Sequence, residues 1–174
     1  MDKAQDSKRF KRAFMLVPTL VCGLALSVTA ARADTARTPY AYSSFTNGAC
    51  GFTIEVAFPV QNQFETTKTA PDGSTINEIT GYLEATFSNV SSGGPTVTEN
   101  VSGSTTIVTK PDGSQVYTFS GPTFLAFSAR LAARLAVPPV FVLDGRAVLT
   151  VPSDGPPTSI SYTGTITNMC SLLA

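Results

Sequence analysis

The stretch PDGSTINEITGYLEATF, residues 71–87, decides the fold class. It opens on a turn, runs into a strand and carries a glycine halfway along that strand. In Pro71-Asp72-Gly73 the proline ring presets φ at the first turn position. Asp72 tolerates the second, and Gly73 takes the left-handed backbone that closes a three-residue hairpin with a bulge. Beyond the turn, Ile79, Gly81, Leu83, Ala85 and Phe87 share one parity. That period of two marks a strand with one buried face. Gly81 belongs to the buried set, where a missing side chain leaves room for a sharp bend.

The unit recurs. Pro111-Asp112-Gly113 precedes Tyr117 and Phe119 on one parity, then Gly121 and the run Phe124 to Phe127. Ser153-Asp154-Gly155 precedes Ile160, Tyr162, Gly164 and Ile166, which alternate with serines and threonines. Upstream, Phe52, Ile54, Val56 and Phe58 alternate with Thr53, Glu55 and Ala57 until Pro59, and residues 63–69 form a Thr-rich partner leading into the first turn. A weaker Thr-rich pair of strands is expected at 96–101 and 104–110, around Gly103. Asp144-Gly145, between Val140–Leu143 and Arg146–Val151, reads as a tight two-residue hairpin. One run is helical, near 128–136: Leu131 and Leu135 lie on one side, Arg130 and Arg134 on the other, and Pro138-Pro139 stops it. The sum is about ten strands joined mostly by short turns. The expected fold is all-β: a single closed or nearly closed antiparallel barrel over 49–174, with the helix as plug or lid. A two-sheet sandwich is the rival.

The termini place the domain. Lys8, Arg9, Lys11 and Arg12 precede an apolar run from Ala13 to Val28, and Ala31-Arg32-Ala33 offers small residues at a cleavage site. Residues 1–33 therefore read as a secretory signal, removed before Asp34. The remaining chain keeps six basic and ten acidic residues, a net charge of −4. It lacks the basic footprint that nucleic acid or an anionic membrane requires, and it contains no further membrane span. Residues 34–48 form an extended arm that Tyr40, Tyr42 and Phe45 dock onto the body. In an exported protein Cys50 and Cys170 have only one intramolecular pairing open to them.

The segments CGFTIEVAFPV, PDGSTINEITGYLEATF, NVSGSTTIVTKPDGSQVYTFSGPTFLAF, LDGRAVLTV and the terminal MCSLLA resemble, over about 49–174, small exported proteins of high-GC Gram-positive bacteria. The resemblance implies export and an all-β body. That family has no assigned activity, so it implies no site. In such a host the sequons at Asn89 and Asn100 stay idle.

The chemistry is bounded by what is missing. The chain has no histidine, which excludes Ser-His-Asp and Cys-His nucleophiles and histidine acid–base work. No Gly-rich loop leads from a strand into a helix, so nucleotide binding has no warrant. Two cysteines without histidine do not complete a zinc sphere. Asp72, Asp112 and Asp154 are single carboxylates some forty residues apart, short of the six to eight oxygens of calcium. No cofactor or metal is expected, and no catalytic residue is assigned. Glu55, Glu78 and Glu84 have outward parity, and none of the chain's carboxylates is placed inward beside Tyr117 or Tyr162. The inward aromatics Phe87, Tyr117, Phe119, Phe127 and Tyr162 are the candidate lining of an apolar cavity. The expected function is a secreted binding or surface-interaction module. Its partner is a small apolar molecule inside, or an extracellular protein or glycan outside. The alternatives are a barrel enzyme of cyclase or isomerase type and a purely structural surface protein.

Exported protein is expected to begin at Asp34 by N-terminal sequencing. Its two cysteines should take up alkylating reagent only after reduction; reaction without reductant would rule out the pairing.

Overall fold

Alternation and turns produce a meander. The computed structural model describes residues 36–174 except Ser92; the expected signal segment lies outside the described residues. The strands are β1 (Arg37–Tyr40), β2 (Phe45–Asn47), β3 (Ile54–Thr69), β4 (Thr75–Asn89), β5 (Thr96–Asn100), β6 (Ser104–Thr109), β7 (Gln115–Ala126), β8 (Val140–Val151) and β9 (Ser159–Asn168). Two short helices accompany them among the described residues, α1 (Ala129–Leu135) and α2 (Met169–Leu172). All nine strands belong to one antiparallel sheet of order β1-β3-β4-β6-β7-β8-β9, with β2 also on β3 and β5 also on β4.

The first two hairpins form as their residues dictate. In each, the Asp-Gly turn is closed by the same pair of backbone bonds, Ala70 N–H to Ser74 O and Gly73 N–H to Ala70 O in one, Lys110 N–H to Ser114 O and Gly113 N–H to Lys110 O in the other. Gly73 and Gly113 have φ of +84° and +85°. The third connection differs. Its Asp154-Gly155 sits in a longer Pro-rich loop closed by Thr158 N–H to Thr150 O, and Gly155 does not adopt the left-handed conformation.

Two further expectations fail. Asp144-Gly145 is not a hairpin. It lies in the middle of the continuous β8, paired on both sides, with Gly121 opposite Gly145 and Gly145 opposite Gly164. The local turn chemistry loses to two complete ladders. Nor do 96–101 and 104–110 pair with each other. β5 and β6 lie end to end along β4 without a slip in register, Asn100 opposite Glu84 and Thr105 opposite Ile79. Between them Val101 N–H still reaches Leu83 O, and Ser102 Oγ takes the Leu83 N–H in place of a backbone carbonyl.

The barrel does not close. β3 would have to pair with β9, but the arm holds the outer edge of β3 through β1 and β2, and β9 pairs only with β8. Nor does the sheet divide into the two hydrogen-bonded sheets of a sandwich. It folds instead along a row of glycines. Gly121, Gly145 and Gly164 stand opposite one another. Gly103 abuts Gly121 and donates its N–H to Pro122 O at 2.5 Å. Gly81 continues the row into β4, where it faces Gln63 of β3. At Gly164, φ is +112° and a Cβ would lie 2.7 Å from Gly145 Cα and closer still to Asp144 O. Strands approach too tightly here for any side chain, and the sheet bends.

Beyond the fold line the two flanks meet. Ile54, Val56 and Phe58 of β3 and Leu83, Ala85 and Phe87 of β4 pack with Val140 and Val142 of β8. Phe124 of β7 joins them, its ring 5.3 Å from Phe58 and 6.4 Å from Phe87. Met169 and Leu173 close this cluster, and Cys50 and Cys170 form a disulfide beside it, Cα atoms 5.3 Å apart. A second cluster gathers Phe119, Leu125, Phe127, Phe141, Leu143, Ala147 and Leu149. α1 covers it with Leu131, Ala132 and Leu135, capped by Ser128 Oγ accepting from Leu131 N–H. The helix is where the leucine spacing puts it, packed on a sheet face rather than plugging a barrel. Asn89 is buried, its Nδ2 donating to Leu173 O.

Gly164→Ala is expected to cost about 1–3 kcal/mol through forced backbone strain, more if the β8–β9 ladder gives way. Thr165→Ala, one residue on and exposed, should stay within about 0.5 kcal/mol of wild type. Urea denaturation of both variants checks this.

Candidate functional site

A single irregularity in β3 sets up the site. Ala57 pairs with Thr86, but Val60 pairs with Glu84, so β3 carries one extra residue at Phe58-Pro59. Proline has no N–H to give to a ladder, and a bulge is where a strand tolerates it. The extra residue inverts the parity of everything that follows. Ile54, Val56 and Phe58 face inward before the bulge; after it the odd residues do, and Gln63 and Glu65 join the face of Ile79 and Leu83.

The same bulge displaces the arm, which crosses it on side-chain bonds. β1 ends with Tyr40 opposite Gln63, and β2 begins with Phe45 opposite Val56. In the gap, Tyr42 N–H donates to Gln61 Oε1 at 2.6 Å and Gln61 Nε2 donates back to Tyr42 O at 3.0 Å. One glutamine amide thereby imitates a ladder pair. The Tyr42 ring lies 5.2 Å from Phe58 and 5.9 Å from Phe124. Asn47 fastens the far end, Nδ2 donating to Phe127 O at 3.2 Å.

Arm, sheet floor and the rising end of β7 together enclose a cleft of about 430 Å3. Tyr40, Tyr42, Phe45 and Asn47 form one wall. Gln63, Ile79, Leu83, Thr105, Ile107, Tyr117 and Phe119 form the floor. Thr123 to Ser128 form the other wall, and Gly103 of the glycine row lies between. None of the lining residues is charged. The volume falls within the range of small-molecule sites, roughly 300–1,000 Å3.

Three polar side chains of the lining are committed within the protein. Asn47 is bonded to Phe127, Tyr117 Oη donates to Gln115 Oε1 at 2.9 Å, and Ser128 caps α1. Burial pushes the Tyr42 phenol up to about 12, helped by the neighbouring Tyr40. Gln63 is only 4 % exposed, and its Oε1 is buried with no hydrogen-bond partner among the described residues.

No family model, curated protein or solved structure matches the chain. The site is therefore read from its own residues.

Of the five expected lining residues, Tyr117, Phe119 and Phe127 line the cleft. Phe87 does not. It is fully buried in the packing between the flanks, where the folded sheet leaves no space at its ring. Tyr162 does not either. In an open sheet β9 is an edge, and Tyr162 is 44 % exposed there. Parity reasoning also missed an inward carboxylate. Glu65 lies on the inner face, accepting from Asn77 Nδ2 at 2.5 Å. It is three strands from β7, about 14 Å of sheet, so it is not brought to Tyr117. Gln63, Tyr40, Tyr42, Thr123 and Phe124 were also missed. The legible signal was Pro59, a residue that interrupts a ladder inside an otherwise regular strand.

The turn aspartates are occupied by their own turns. Asp72 Oδ1 accepts from Ser74 N–H, and Asp112 Oδ1 accepts from both Ser114 Oγ and Ser114 N–H. These bonds hold both carboxyls below the ordinary value. Gly81, Gly121 and Gly164 have φ of +131°, +83° and +112°, a backbone that side chains rarely adopt.

Tyr42 carries a stability term with a definite sign. The folded state holds its proton more tightly than the unfolded state, whose phenol titrates near 10. The contribution is complete below pH 10 and is lost as pH rises toward 12. Tyr42→Phe should remove the latest step of the ultraviolet phenolate titration and flatten the fall in stability between pH 10 and 12. An unchanged titration would show that the Tyr42 phenol is not buried between the arm and the sheet.

Proposed function

We propose that the protein is an exported, non-catalytic binding module whose cleft takes a small apolar molecule. The observation that supports this reading is the uncharged, aromatic-walled cleft of about 430 Å3 between the arm and the folded sheet. Apolar area removed from water there contributes on the order of 25 cal/mol per Å2, enough for a ligand of two or three rings to bind usefully. The disulfide that ties the two ends of the domain suits an oxidising compartment. No helix among the described residues is long and apolar enough to cross a membrane. Between its two ladders the arm is held at Tyr42 by the Gln61 amide and by ring contacts, so that gap is the part able to open and admit a ligand.

Protein purified from its secreting host should carry an adduct of small-molecule mass in native mass spectrometry. After extraction it should enhance the fluorescence of N-phenyl-1-naphthylamine. Ile107→Lys, which sets a charge on the cleft floor, should lower dye affinity at least tenfold while the fold stays intact by circular dichroism. A clean spectrum together with no dye uptake would refute the reading.

A further inference from the structure

We propose that the ligand of this cleft carries a hydroxyl or amide group, and that the Gln63 carboxamide recognises it. The inference rests on the reading of the cleft as a small-molecule site. It narrows the ligand from any apolar molecule to an uncharged one with a single hydrogen-bonding head.

Gln63 is an unusual residue for its position. Burying an amide without partners costs about 1–3 kcal/mol, and a leucine or methionine of similar volume would fit the same apolar floor without that cost. Yet Gln63 is almost wholly buried, and its Oε1 has no hydrogen-bond partner among the described residues. The bulge at Phe58-Pro59 is what turns it inward; in an unbroken strand its neighbour Phe64 would face the cleft instead.

The surroundings are arranged to leave the amide free. On β4 it faces Gly81, which has no side chain to cover it. The row continues through Gly103, so the floor beside Gln63 is bare backbone. On β1 it faces Tyr40. The lining amide of Asn47 and the hydroxyls of Tyr117 and Ser128 are already bonded within the protein. Gln63 thus offers the cleft an uncommitted amide oxygen. Its last torsion is broad, so the amide turns toward an arriving partner without leaving its rotamer.

The chemistry of the partner follows. A hydroxyl or an amide both donates and accepts, and so matches either edge of the carboxamide. A hydrocarbon leaves it unpaired. A carboxylate or ammonium would be stripped of water in a lining that holds no opposite charge. The ligand is therefore an apolar body with a neutral polar head.

The test compares 2-naphthol with 2-methylnaphthalene on the oxidised protein by titration calorimetry. Wild type should bind the naphthol about tenfold more tightly. Gln63→Leu and Gln63→Met should bring the two within about twofold by weakening the naphthol alone. Both variants should melt at or above the wild-type temperature, because each removes an unpaired buried amide. Equal wild-type affinities, a preference that survives in both variants, or variants that lose stability would each overturn the assignment. Failure of wild type to bind either naphthalene would instead remove the cleft reading on which it rests.

Discussion

The structure depends on close approach of backbone to backbone along one line. Five glycines lie on that line or beside it: Gly81, Gly103, Gly121, Gly145 and Gly164. A Cβ on most of them would fall inside the van der Waals envelope of a neighbouring strand. Without side chains to hold it open, the sheet folds over, and its flanks bury Phe58, Phe87, Phe124 and Val140 between them. The same absence leaves a trough on the inner side of the fold, floored by peptide groups. Core and cleft are thus two consequences of one steric fact.

The second constraint is the occupied edge of β3. Barrel closure removes unpaired edges by joining the first strand to the last. Here the arm takes the place that β9 would need. It pairs with β3 on either side of the bulge and bridges the bulge with the Gln61 amide. The sheet stays open, β9 is left as an edge, and the arm becomes a wall of the cleft. The arm is therefore part of the site as much as of the sheet. Where its ladders are interrupted, it rests on the Gln61 amide and on the Tyr42 ring against Phe58 and Phe124.

The site was only partly legible because it is built across a parity break. Tyr117, Phe119 and Phe127 were recognisable, since β7 runs past its glycine without losing its alternation. Gln63 was not. Its strand begins in one parity and ends in the other, and residues 63–69 read alone are a Thr-rich strand leading into a turn. Phe87 and Tyr162 had the correct inward parity, yet one is sealed in the core and the other stands at an open edge. Parity reports which face a side chain takes. It does not report what lies opposite that face.

The sequence by itself determined the all-β class, the two Pro-Asp-Gly hairpins, the short amphipathic helix and the disulfide partners. Each of these is local, or, for the cysteines, a matter of counting. Only the tertiary structure decided that the sheet stays open, that Asp144-Gly145 runs straight through a strand, that β5 and β6 share one edge, and that Gln63 faces the cleft. These depend on which edge each strand finds and on the register in which it pairs. A hairpin competes with nothing beyond its own few residues. A ladder competes with every other edge in the molecule, and no window of sequence contains both of its sides.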